Sequence, residues 1–188
     1  LSESFHQRSS PNLQLALRFY ESGAAEGHLE CTYSFGYLLL RQAVELLAER
    51  APGEDRRTAV EHYLTPKEQA WYESTAAQGI HFLRVAADRG LADARYQLGR
   101  AYMAGIGVPQ DVHAAYEAFQ FACNSPVIVG SQEQHGNSQD WIKSGGATAH
   151  ARASLEAGNI LFSGFGSGFP SQQELEQAAR MYAIASRA

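Results

Sequence analysis

AADRGLADARYQLGRAYMAGIGVPQDVHAAYEAFQFAC, residues Ala86–Cys123, decides the fold of this chain. Gly90, Ala94, Leu98, Gly99 and Tyr102 recur at helical spacing, and Gly105 and Gly107 break that helix. Val108-Pro109-Gln110-Asp111 starts the next one, on which Ala115, Phe119, Ala122 and Cys123 form one stripe. Small residues at these places let two backbones approach closely. The stretch therefore reads as αα-hairpins, and self-similarity along the chain is the test of a repeat.

The pattern returns on both sides. Upstream, Ala16, Phe19, Tyr20, Gly23, Ala24, Gly27, Cys31, Phe35 and Gly36 keep the spacing of Gly79, Phe82, Leu83, Ala86, Ala87, Gly90, Ala94, Leu98 and Gly99 at a constant offset of 63. Downstream, Ala153, Gly158, Leu161 and Gly164-Phe165-Gly166 follow Ala94, Gly99, Tyr102 and Gly105-Ile106-Gly107 at an offset of 59, and Ala178, Met181, Tyr182 and Ala185 complete that copy. Gly36, Gly99 and Gly158 fall in helix interiors, where glycine costs about 1 kcal/mol against alanine, so close packing has to repay it.

Helices are expected near 11–26, 28–50, 66–89, 91–104, 110–123, 147–163 and 171–187, with a short one around Asp55–Tyr63. Ser10-Pro11 gives an N-cap with proline in the first turn, and Thr65–Glu68 and Ser171–Glu174 read as capping boxes. Tyr33, Tyr96, Tyr102, Phe119 and Tyr182 fall on core stripes.

These features resemble the Sel-one-like repeat family, relatives of the tetratricopeptide repeat with one αα-hairpin per unit. The resemblance is clear over 79–123, keeps register over 16–40 and is weaker over 149–186. It implies an all-α fold, an αα-hairpin solenoid wound as a right-handed superhelix, forming a single domain over 11–188 behind a polar N-terminal segment, 1–10, that is open to disorder. The copies stand farther apart than the family's repeat of about 36 residues, which places long insertions at about 51–65 and 124–146. The first helix of each family hairpin lines the partner-binding side. That implies Ser34, Tyr37 and Arg41 in the first copy, Gln97 and Arg100 in the second, and Glu156 and Asn159 in the third as partner-contacting positions. The second insertion, with Val127, Ile128, Val129 and Trp141, is the other expected docking element.

Composition bounds the function. The chain has 188 residues, 45% hydrophobic content and a formal charge of −5, enough apolar material for a core and no basic stripe to hold phosphate backbones. Nucleic acid is not an expected partner, and the longest apolar run, Tyr37–Leu40, is far short of a membrane span. The first residue is Leu, and the first copy opens on a second helix, so a piece of a longer chain is expected, with self-association through uncovered solenoid ends. Cys31 and Cys123 stand where the family prefers alanine and read as small core residues. The paired cysteines that staple secreted bacterial relatives are absent, which points toward a reducing compartment or an organelle other than the secretory lumen.

Seven histidines include no pair at metal-ligand spacing, and Gly164–Gly168 follows a helix without the lysine of a phosphate loop. No cofactor or catalytic residue is expected. The chain reads as a non-catalytic scaffold or adaptor for a protein or peptide partner. The alternatives are a secreted-type hydrolase or peptidoglycan- or sugar-binding repeat protein, and a purely structural subunit of an organellar complex.

Overall fold

Helix boundaries follow local chemistry closely. The computed structural model describes residues 11–54, 56–124 and 139–186, with the side chains of residues 11, 57 and 139–148 outside that description. Among the described residues there are eight helices and no strand: α1 Pro11–Ala25, α2 Leu29–Arg50, α3 Arg56–His62, α4 Pro66–Asp88, α5 Ala92–Ala104, α6 Val112–Asn124, α7 Gln139–Phe162 and α8 Gln172–Ala185. The all-α expectation holds. The chain divides into two compact units, the first ending at Ala86 and the second running from Ala87.

Both capping boxes form. The Ser171 hydroxyl accepts from the Glu174 amide while the Glu174 carboxylate accepts from the Ser171 amide. At α4 the Thr65 hydroxyl accepts from the Glu68 amide at 3.3 Å, and the Glu68 carboxylate accepts from the Thr65 amide and hydroxyl, both at 2.9 Å. Helix α6 starts later than expected because Asp111 is the better cap: its carboxylate accepts from the Ala114 amide at 3.0 Å. Ser10 lies outside the described residues.

In the first unit α2 packs against α1, α3 and α4. A Cβ on Gly36 would lie 2.9 Å from the Gly79 carbonyl oxygen and 3.0 Å from the Leu83 amide nitrogen, so α2 and α4 touch main chain to main chain. Phe35 and Phe82 meet edge to face at 4.8 Å beside that crossing. Leu39, Leu40, Ala43, Ala76, Ile80 and Leu83 are buried around it. Glu68, only 5% exposed, ties this core to the end of α2 through an ion pair with Arg50.

In the second unit α6 packs between α5 and α7, α5 also lies beside α7, and α8 closes on α7. Its core contains Tyr96, Ala115, Phe119, Ala122, Ala153, Ala157 and Ile160. A Cβ on Gly99 would lie 2.5 Å from the Phe119 ring, and one on Gly158 would lie 2.7 Å from the Tyr182 ring. The interior glycines thus do what their cost demanded, each admitting a neighbour that alanine would displace.

The turns before α2 and α5 share their geometry at the offset of 63. Gly27 and Gly90 take φ of 84° and 95°, the left-handed region where glycine has no Cβ penalty. Their amides donate to the carbonyls of Ala24 and Ala87, each at 3.0 Å. The turns after α5 and α7 also correspond, the Ile106 amide donating to Ala101 and the Phe165 amide to Ile160.

The second insertion differs from expectation. Helix α7 begins at Gln139 rather than 147, so the anticipated loop up to Gly146 is helical over its last eight residues. Gly145 and Gly146 read as breakers, but they cost about 1 kcal/mol each inside a helix, a penalty that a 24-residue helix packed along its C-terminal half sustains.

Candidate functional site

The expected partner positions fall in both units. In the first, Ser34 and Tyr37 are half-buried and Arg41 is exposed on α2. Tyr37 stacks on Tyr33 with ring centres 6.1 Å apart, and Arg41 is engaged with Glu45 one turn on, at 2.7 Å. An exposed pair of this kind contributes little to stability, but it occupies the guanidinium.

In the second unit the expected residues lie on two neighbouring helices. Gln97 and Arg100 lie on α5, and Glu156 and Asn159 on α7, helices that lie side by side. Two of them, Arg100 and Glu156, act on Tyr96, a residue missed as part of this surface. Its ring is 8% exposed and packs on Phe119 at 5.7 Å, while the Arg100 guanidinium sits 6.0 Å from its centroid. Burial raises the Tyr96 hydroxyl above its ordinary pKa, with Arg100 and Arg152 opposing and Glu156 reinforcing that shift. Arg100, Arg152 and Glu156 thus all lie within electrostatic reach of one phenol.

Arg152 was not among the expected residues. It stands one helical turn before Glu156, and Asp93 stands in the same relation to Gln97, so both belong to the stripe already read. Extending that stripe one turn toward the N-terminus of each helix finds them. Burial raises the Asp93 carboxyl, against the pull of His150 and Arg152. Along α7 the exposed stripe continues through Leu155, Asn159 and Phe162, the two apolar side chains being 47% and 61% exposed. The side-chain oxygen of the exposed Asn159 accepts from the Tyr182 hydroxyl at 3.0 Å and joins α7 to α8.

The other docking expectation is not placed. Val127, Ile128 and Val129 lie outside the described residues, and Trp141 falls within α7 with its side chain outside the description.

A second polar cluster joins α6 to α7. The fully buried Ser154 donates its hydroxyl to the Cys123 sulfur at 3.1 Å, and His150 Nδ1 donates to the Cys123 carbonyl at 3.1 Å. Nucleophilic chemistry has poor footing here. The imidazole faces a carbonyl rather than the thiol, and burial pushes the thiol up from its ordinary pKa. Cys31 is likewise pushed up, by burial and then by Glu30 and Glu26, and its sulfur fills the space that a Cβ on Gly23 would take. Both cysteines are free and half-buried, less enclosed than core residues. Both thiols are expected to react with an aromatic disulfide reagent at pH 8 much more slowly in the folded chain than in urea. Equal rates would show that neither is shielded.

Gly164–Gly168 is a turn with no amide left for an anion. The amides of Gly164, Phe165, Gly166, Ser167 and Gly168 all donate to carbonyls of Ile160, Leu161, Ser163 or Gly164, and the Phe169 amide donates to the Ser167 hydroxyl. Phe165 instead stacks on His113 at 4.4 Å, fastening the turn to α6. Among the described residues, no three His, Cys, Asp or Glu side chains gather where they could hold a metal ion, and no helix is long and apolar enough to cross a membrane.

No protein-family model matches the chain, and no curated protein is similar to it at a significant level.

Proposed function

We propose that this chain is a non-catalytic scaffold of stacked αα-hairpins, a solenoid of the Sel-one-like kind, that presents one face to a protein partner. The observation that carries the reading is the α5/α7 surface. Two neighbouring helices that use small residues to pack carry a buried Tyr96, the exposed Arg100 and Arg152, the half-buried Glu156 and, on α7, two exposed apolar side chains. Arginine and tyrosine dominate the energetics of protein interfaces when apolar contacts surround them. The matching turns at Gly27 and Gly90 support the repeat reading. So do exposed apolar side chains on α1, Leu15 and Phe19, and on α8, Leu175 and Ile184, since each unit of a repeat array buries apolar surface against a neighbour.

Affinity capture from the native source, compared between the unaltered chain and Leu155→Glu, tests the reading. Leu155 is exposed, so the substitution buries no charge and the circular dichroism is expected to stay helical. Capture of a protein that is lost with Leu155→Glu supports the proposal. A list matching that of the tag alone removes it.

A further inference from the structure

We propose that the α5/α7 face binds an acidic peptide segment, with Arg100 and Arg152 gripping its carboxylates and Leu155 receiving an adjacent apolar side chain. This deepens the scaffold reading and rests on it. Three observations carry it.

The first is that the two guanidiniums are available. Arg41, Arg50 and Arg95 each have a carboxylate within 4.0 Å, whereas Arg100 and Arg152 are exposed and form no ion pair or hydrogen bond with any described residue. The Arg100 guanidinium lies 6.0 Å from the centre of the Tyr96 ring, at the outer reach of a cation–π contact that favours this placement before any partner arrives. A fork of donors with part of its freedom already lost binds a carboxylate at a lower entropic cost.

The second is the charge pattern. Glu156, one turn after Arg152 on α7, and Asp93, in the first turn of α5, put half-buried carboxylates on the same two helices. A continuous phosphate backbone would meet these carboxylates, while a segment with one or two acidic side chains can place them at the arginines alone. The third is the apolar flank: Leu155 and Phe162 continue the exposed stripe of α7 beyond Arg152. A free anion makes no use of them, and a peptide does.

The test is fluorescence anisotropy with a labelled short peptide alternating glutamate and leucine, beside the same peptide with lysine in place of glutamate. The glutamate peptide is expected to bind saturably and to weaken as sodium chloride is raised, because exposed charge pairs are screened. The double variant Arg100→Gln/Arg152→Gln should bind it about tenfold more weakly, whereas Arg180→Gln, exposed on α8, should bind as the unaltered chain does. Arg100→Glu/Arg152→Glu should transfer the preference to the lysine peptide. Circular dichroism of each variant confirms the fold.

Equal binding of both peptides, undiminished binding by the double variant, or a single-stranded oligonucleotide that binds as tightly overturns the inference. Failure here is distinguishable from failure of the scaffold reading. If a captured partner still depends on Leu155 while the glutamate peptide does not bind, only the acidic-peptide proposal falls.

Discussion

Gly99→Leu is expected to lower stability by about 3 kcal/mol or more, at the upper end of what overpacking a core costs. A single added carbon would already stand 2.5 Å from the Phe119 ring, and that ring is 1% exposed and has nowhere to turn. For a chain of this length the thermal midpoint should fall by roughly 6–12 °C. Gly36 offers a contrast in kind. The wall it faces is the main chain of Gly79 and Leu83, so Gly36→Ala should cost about 1–3 kcal/mol and no trimming of a neighbouring side chain should restore it. Gly99→Ala paired with Phe119→Leu should instead be less damaging than the sum of the two changes, with a coupling of about 0.5–3 kcal/mol. Thermal melts of the five variants, Gly99→Ala and Phe119→Leu being measured singly and together, read both results. A Gly99→Leu protein that melts with the unaltered chain would show that α5 and α6 do not meet where they are placed.

Glu68→Ala is expected to cost about 2–3 kcal/mol, because one nearly buried carboxylate serves three donors. Its loss removes the capping box of α4 and leaves Arg50 and the Thr65 amide without that partner. The Thr65 amide is the main reason that the Glu68 carboxyl is held below its ordinary value of about 4.5, with the Thr65 hydroxyl and Arg50 helping against the burial that would raise it. A carboxyl with a depressed folded pKa contributes stability that is complete above the unfolded value and disappears as pH falls through the folded one. The unaltered chain should therefore lose stability as pH drops below about 4.5. Glu68→Gln should begin lower at neutral pH and fall less steeply over that interval. Urea midpoints across pH 3–7 measure the difference, and parallel curves for the two proteins would remove Glu68 from the account.

Much of this architecture was legible because helices announce their ends in single residues. Pro11, Pro66 and Ser171 mark starts, Gly27, Gly90 and Gly105 mark stops, and the helices bounded by them come within two residues of expectation. The interior glycines were legible for an energetic reason, since an unfavourable residue kept at corresponding places needs compensation, and each meets a neighbour too close for a Cβ. The start of α7 was not legible. Two consecutive glycines weigh heavily in a local reading, while the burial of Ala153, Ser154, Ala157 and Leu161 that holds the helix lies beyond them.

The candidate face was half legible. Of the seven expected partner positions, Gln97 and Arg100 on α5 and Glu156 and Asn159 on α7 stand on neighbouring helices, and Ser34, Tyr37 and Arg41 stand on α2 in the first unit. Tyr96 was assigned to the core, where its ring belongs, but one residue can seal a core with its ring and present its hydroxyl to neighbouring charges. The bond that Asn159 accepts from Tyr182 spans 23 residues, which no periodicity reveals.

The glycine-to-ring contacts of the second unit are built over turns of unequal length. Twenty residues separate Gly99 from Phe119 and twenty-four separate Gly158 from Tyr182, yet both rings rest on the glycine in the same way. The hairpin contact is thus insulated from the length of its connector. The longer connector puts its surplus into an exposed tip at Gly166, Ser167, Gly168 and Phe169, the last 88% exposed. In engineering terms that tip is a splice point, where a fluorophore-bearing or epitope sequence can be grafted while the α7/α8 seam and the face carrying Arg152 keep their geometry.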